Sequence, residues 1–290
     1  MKTLRHRIKE ACKMGGVRQL TVERDYVQSY VLYGLGATPE LQDTMVLKGG
    51  TALRKIYFDR YRFSEDIDFS MIDGPSGPDL ENVVCASIAR AEREARKVAP
   101  LQFTVGRYAQ RDPHPSGQEA FIVRVQFPWQ RQPIVPVKIE VAHDEPVLLP
   151  TFPTAVQHGY GEPLQSMIRT YSLEEICSEK LRATQQTLAK LDERGWTRPR
   201  ARDYYDLWHL ARQPDGRIQW NRVVSILRAK CHPKGVNVES VDDIFQARLI
   251  EHVRASWDRT LGPFVSDLPP ADRVIAELKD RLIDLLWDLD

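Results

Sequence analysis

Two consecutive glycines, Gly49-Gly50, stand between the apolar triplet Met45-Val46-Leu47 and a run of helix formers that starts at Thr51; the alternating segment 63–70 follows. Few folds accommodate this order. It reads as a short strand over 45–47, a glycine turn, a helix over 51–58 and a second strand rich in aromatic and β-branched residues. On that second strand Asp66 and Asp68 stand at i and i+2, so both project from one face while Ile67 and Phe69 pack behind them. Both strands therefore need a sheet with one buried face and one face bearing acids.

Two carboxylates this close raise each other's pKa and repel unless a cation neutralises them, and hard oxygen ligands suit magnesium. The competing reading is an exposed strand with both acids in water. The preceding turn favours the metal: glycines let the backbone approach an anion, and the helix opening at Gly49, Gly50 and Thr51 offers free N–H groups and a favourable dipole. Ser64, two residues before Asp66, alternates onto the same strand face and brings a hydroxyl within reach of a phosphate. A third metal ligand is expected from Glu140, on the polar face of a strand over 137–141 that alternates Val137, Ile139 and Val141 with Lys138 and Glu140. Its bland alternative is a solvent-facing acid paired with Lys138; Asp144 and Glu145 are weaker candidates.

The rest of the chain sets these strands in a mixed pattern. One or two helices occupy the first forty residues and end at a breaker formed by Gly34 and Gly36. A charged helix is expected over 80–98, strands over 101–108 and 120–127, and an irregular loop over 111–117, where two prolines and a glycine exclude regular structure. Beyond Ser172, which opens a helix with the capping box Ser172-Leu-Glu-Glu175, the pattern turns helical, with further helices over 201–212, 220–231, 241–261 and 271–289. The expected division is an α/β domain over 1–150 and a helical one over 151–290.

With 42% hydrophobic and 28% charged residues the composition is that of a globular protein, and no apolar run approaches the ~20 residues of a membrane span. The N-terminal segment lacks the apolar core of a signal peptide, so a cytoplasmic address is expected. Cys12, Cys85, Cys177 and Cys231 show no metal or disulfide spacing and are expected to be small buried hydrophobes. A formal net charge of only +1 leaves nucleic-acid binding to local patches. The candidates are Arg5, Arg7 and Lys9; Arg54, Lys55, Arg60 and Arg62; and Arg194, Arg198, Arg200 and Arg202, each also readable as a solvated surface.

At 100° per residue, Lys180 falls near the centre of an apolar stripe formed by Leu173, Ile176, Cys177, Thr184, Leu188 and Leu191. A lysine aimed inward needs an anion, either a triphosphate or a buried acid. Asp203 lies on the side of Leu207 and Leu210 in its helix, with Asp206 on an adjacent flank. Two roles for Asp203 stay open, orienting Lys180 or deprotonating a substrate hydroxyl, beside a purely structural pairing with Arg202 or Arg182. Tyr204, Tyr205 and Trp208 read as helix packing.

The segments Leu-Lys-Gly-Gly-Thr-Ala-Leu-Arg (47–54), Arg-Phe-Ser-Glu-Asp-Ile-Asp-Phe (62–69), Lys-Ile-Glu-Val (138–141), Glu-Glu-Ile-Cys-Ser-Glu-Lys-Leu-Arg-Ala (174–183) and Ala-Arg-Asp-Tyr-Tyr-Asp-Leu-Trp (201–208) together resemble the AbiEii family of nucleotidyltransferase-like toxins, the toxin halves of AbiE and MenAT toxin–antitoxin pairs. The resemblance implies a DNA-polymerase-β-type nucleotidyltransferase sheet with a helical C-terminal part. It also implies magnesium-dependent transfer of nucleotides from an NTP to the 3′ end of tRNA, and a cognate antitoxin. Carried over residue by residue, Gly49, Gly50 and Ser64 match the nucleotide-binding motif and Asp66 and Asp68 its metal ligands. Lys180 matches the lysine of the Glu-Lys-Leu motif and Asp203 the acid of the Arg-Asp motif, both expected to enter the active-site cleft. Glu140 stands where many relatives have an acid, on a longer arm. Rival functions are a nucleotidyltransferase acting on a small molecule and a non-catalytic nucleotide-binding interaction module.

Overall fold

The computed structural model describes residues 2–109 and 118–286. The loop expected over 111–117 and the end of the C-terminal helix lie outside the described residues. The chain divides into two compact units, Met1–Tyr171 and Ser172–Asp290.

In the first unit α1 (Leu4–Gly15), α2 (Gln19–Gly36) and α3 (Pro39–Gln42) lead into β1 (Met45–Lys48). Helix α4 (Gly49–Ala52) continues as a π-helical segment, Leu53–Tyr57. There follow β2 (Asp66–Met71), α5 (Gly77–Arg96), β3 (Gln102–Arg107), β4 (Glu119–Gln126), β5 (Val135–Ala142), β6 (Phe152–Ala155) and β7 (Met167–Thr170). The strands form one mixed sheet in the order β3-β4-β5-β2-β1-β7-β6, the mixed α/β architecture expected. Strand β2 lies inside it, antiparallel to β1 and parallel to β5, while β1 runs parallel to β7.

Strand β2 starts at Asp66 rather than at Phe63. Its partners explain this: β1 pairs only as far as Lys48 with Asp68 before the chain turns helical, and β5 joins at Lys138 opposite Asp66. Upstream of Asp66 neither ladder continues although β5 itself begins at Val135, because side chains of α2 take the backbone groups there: Gln28 donates to the Ser64 and Glu65 carbonyls and Arg24 to the Pro136 carbonyl. Strands β6 and β7 fall where the sequence shows no alternation; β6 is exposed along most of its length, and Pro153 suits such an edge.

Gly34 is not a breaker. Helix α2 runs through it to Gly36, and a Cβ at Gly34 would stand 2.3 Å from the Ser87 carbonyl oxygen of α5, so the glycine permits a close helix crossing. Helix α2 is buried on nearly all sides and carries polar groups into the core. Asp25 is one of them. Arg54 Nε lies 2.6 Å and Lys55 Nζ 2.9 Å from its carboxylate, and the Tyr160 hydroxyl donates to it at 2.7 Å. Arg54, Lys55 and Arg62 are thus largely withdrawn from solvent, which corrects their expected place in a surface patch. A second buried acid, Glu162, accepts from Tyr26 at 2.5 Å, from Tyr30 at 3.2 Å and from Arg7.

The second unit is helical, as expected beyond Ser172: α6 (Leu173–Arg194), α7 (Ala201–Ala211), α8 (Trp220–Cys231), α9 (Ala247–Leu261) and α10 (Ala271–Leu285). Ser172 caps α6 by accepting from the Glu175 N–H at 3.2 Å, while the Glu175 carboxylate lies 3.2 Å from the fully buried Lys230 of α8. The helix expected over 241–261 is split. Ser240 and Asp243 form a capping box on a short 3-10 turn, Val241–Phe245, and Gln246, with φ −58° and ψ 138°, interrupts it before α9. Cys177 and Cys231 are buried as expected, whereas Cys12 is half-buried and Cys85 is exposed.

Candidate functional site

Sheet register assembles the first group of residues. Asp68 of β2 lies opposite Lys48 of β1 on one side and Glu140 of β5 on the other, and Asp66 lies opposite Lys138. Leu47, Ile67, Phe69, Ile139 and Val141 fill the opposite face and are fully buried. The apolar face fixes the strands, and the alternation then forces the charged side chains together. Lys138 donates to Glu140, which is itself buried. Burial, then the neighbouring Glu140 and Asp66, push the Asp68 carboxyl well above the usual carboxylate range, against the pull of Lys48.

The glycine turn closes against these acids. Gly49 has φ +70°, and a Cβ there would stand 2.8 Å from Asp68 Oδ2. A Cβ at Gly50 would meet Arg62 Nη2 at 2.6 Å and Ser64 Oγ at 3.2 Å. Ser64 thus joins the group because the segment before β2 folds back over Gly50, not through strand alternation. Thr51 is fully buried and its hydroxyl donates to the Asp66 carbonyl, tying the start of α4 to the strand that carries the acids. Lys48 and Arg62 belong to this group, although the sequence suggested no role for Lys48 and placed Arg62 in a nucleic-acid patch. Lys48 was detectable by its place one residue before the glycines, and Arg62 by its i, i+2 spacing to Ser64.

Asp66, Asp68 and Glu140 are hard oxygen donors on one sheet face, and the crowding that lifts Asp68 is what a divalent cation relieves. The set fits magnesium in its chemistry. Among the described residues no three such side chains already stand in coordinating geometry, so recruiting Glu140 as a ligand means drawing it away from Lys138.

The second group lies within the helical unit. Lys180 on α6 is buried, as its place in the apolar stripe predicts, and its Nζ stands 2.8 Å from Asp203 Oδ1 and 2.6 Å from Asp206 Oδ2 of α7. Arg200 adds a contact of 3.2 Å to Asp203 Oδ2, where the sequence had suggested Arg202 or Arg182. Arg202 instead donates to the Thr260 carbonyl and covers the Phe264 ring. Burial alone would raise the Asp203 carboxyl, but Lys180 and Arg200 outweigh it and hold it below the usual range. A carboxylate so stabilised is a weak base, so of its two open roles the geometry favours holding Lys180. Tyr204 donates to the Ile244 carbonyl, and the Tyr205 ring packs at a tilt against Trp208 and Trp257, which bears out their packing role.

A family model described as nucleotidyl transferase AbiEii toxin, type IV toxin–antitoxin system, matches residues 30–284. The chain belongs to the AbiEii nucleotidyltransferase toxin family. Among solved structures it is similar to MenT4, a nucleotidyltransferase toxin from Mycobacterium tuberculosis H37Rv, at 23% identity and a TM-score of 0.66, covering 100% of this chain and 91% of that one. At this identity the likeness supports the fold, a mixed α/β sheet followed by helices. Comparison with curated proteins gives no match. Membership of the AbiEii family implies a nucleotide substrate and an antitoxin counterpart. The span matched to the AbiEii model contains both groups of residues. Among the described residues no helix is long and apolar enough to cross a membrane.

Proposed function

We propose that this AbiEii-family chain is a cytoplasmic, magnesium-dependent enzyme that transfers a nucleotide from an NTP to the 3′-hydroxyl of RNA, the acceptor end of tRNA in particular, and so blocks translation. The observation that carries this reading is the row Lys48–Asp68–Glu140, with Asp66 beside it and the Gly49 backbone closed against Asp68. Acids and cations alternate there next to a glycine turn that leaves no room for a side chain and opens a helix N-terminus.

In this reading the 3′-hydroxyl gives its proton to solvent, its oxygen bonds to the α-phosphorus, the bond from that phosphorus to the pyrophosphate oxygen breaks, and pyrophosphate leaves. Asp66 and Asp68, with Glu140 as the third ligand, would hold the magnesium ion, which would supply positive charge to offset that of the phosphates. Lys48 and Arg62 flank the turn as phosphate-facing cations, and the Gly49, Gly50 and Thr51 backbone with the Ser64 hydroxyl binds the phosphate oxygens. Lys180, held by Asp203 and Asp206, is assigned as a triphosphate-binding lysine.

Total RNA is incubated with magnesium, the purified protein and each of the four labelled NTPs in turn. The expected result is label in tRNA with wild type and none with Asp68→Ala. Wild type that labels no RNA while remaining toxic in cells would overturn the proposal.

A further inference from the structure

Between α6 and α7, residues 195–200 run Gly-Trp-Thr-Arg-Pro-Arg. Trp196 is 58% exposed and has no hydrogen bond or ring contact to any described residue. Other tryptophans of the chain behave differently. Trp129 donates its indole N–H to Glu23, Trp208 to Glu277 and Trp257 to the Pro269 carbonyl. Arg198 is exposed too, and its guanidinium makes no ion pair among the described residues.

The segment that presents these two side chains is nevertheless fixed at both ends and in the middle. Gly195, at φ +75°, ends α6 and donates its N–H to the Leu191 carbonyl at 3.0 Å. Arg200 donates to Thr187 Oγ1 at 2.7 Å and contacts Asp203, the residue that holds Lys180. His252 Nε2 lies 3.4 Å from the Arg198 carbonyl, and Pro199 restricts the backbone on either side of it. An indole held out on an anchored backbone loses little freedom when a flat partner covers it.

We propose that Trp196 is a stacking platform for an unpaired base of single-stranded RNA, with Arg198 contacting a neighbouring phosphate. An exposed aromatic ring with an exposed guanidinium two residues away combines the two contacts by which proteins hold single strands without reading sequence, because every base has a π-face and every linkage a charge. The chain's net charge of +1 gives no general attraction for RNA, so binding depends on such local contacts. This inference rests on the RNA-acceptor reading above and adds to it the residues that position the acceptor strand.

The test is fluorescence anisotropy of a labelled short single-stranded RNA with the full-length protein, over a series of salt concentrations, together with steady-state transfer kinetics. Trp196→Ala is expected to weaken binding by about 5- to 100-fold, Trp196→Phe to restore most of it, and Arg198→Ala to reduce the salt slope by about one. In transfer, Trp196→Ala is expected to raise KM for RNA while leaving kcat and KM for NTP near wild type. Unchanged RNA affinity in Trp196→Ala, as expected if the indole docks a protein instead, overturns the inference. So does a Trp196→Phe variant as weak as the alanine one, or wild type that binds no single-stranded RNA. Failure of the transferase reading is distinguishable, since there wild type binds RNA but labels none.

Discussion

Around Asp68 three carboxylates and two lysines meet on a sheet face, and one of the lysines, Lys138, is taken up by Glu140. Its folded-state pKa lies well above its ordinary 3.8, so between those values the native protein holds more protons than the unfolded chain, and stability falls as pH rises through that window. At neutral pH the negative charge is therefore a net cost unless a cation is bound. Asp68→Asn is expected to melt a few degrees higher than wild type in EDTA at pH 7, on the order of 1 kcal/mol. Magnesium is expected to raise the melting temperature of wild type more than that of the variant, and label transfer by Asp68→Asn to fall by at least about 100-fold. A variant that melts lower than wild type without metal would refute the crowding argument. Gly49 is constrained independently. Alanine at φ +70° costs about 1–2 kcal/mol, and its Cβ would also stand 2.8 Å from Asp68 Oδ2. Gly49→Ala is expected to lower the urea midpoint accordingly and to lose transfer activity.

Between elements, the pairing of α6 with α7 through Lys180 confounds structure with function. Removing the lysine leaves Asp206, which is fully buried, beside Asp203 with its main countercharge gone, a loss of about 3–5 kcal/mol. Lys180→Met is therefore expected to be both unstable and inactive. The double change Lys180→Met with Asp206→Asn separates the two, since it should recover much of the urea midpoint and none of the transfer; recovery of both would make Lys180 purely structural. These charged positions were legible in the sequence because period alone places them: i, i+2 on β2 for Asp66 and Asp68, and the 3.6-residue stripe of α6 for Lys180. What period could not supply was the partner. The register that sets Lys48 and Glu140 beside Asp68 depends on strand order across the whole sheet. The start of β2, the fold-back of Arg62 and Ser64 onto Gly50, and the buried pairing of Arg54 and Lys55 with Asp25 are likewise long-range outcomes. Gly34 shows the same limit: a glycine in a helix reads as a stop until the crossing helix is known.

For the molecule as a whole, a net charge of +1 means that general repulsion contributes little near neutrality, so the acid response is set by its buried groups. Burial lowers the pKa of His158, whose Nε2 lies 3.3 Å from Glu162, below its ordinary 6.5. The imidazole is then neutral in the fold, and stability is lost as pH falls below 6.5 because the unfolded chain takes up the proton first. Burial would raise Glu162, but His158 and the Tyr26 hydroxyl hold it down to about 2 from 4.5. Its contribution is complete above pH 4.5 and disappears as pH falls toward 2, a loss of roughly 3 kcal/mol. Asp25, held low by Arg54 and Lys55 in spite of its burial, acts in the same direction below its ordinary 3.8. In the Asp68→Asn background, which removes the opposing titration of that carboxyl, the urea midpoint should thus decline gently from about pH 7 to pH 4.5 and fall steeply below it. Burial lowers the pKa of His209 in the same way, so His158→Gln, which removes one of the two rings, should make the gentle limb shallower and keep the steep one. An unchanged slope between pH 6.5 and 4.5 in that variant would mean that the acid response arises elsewhere in the chain.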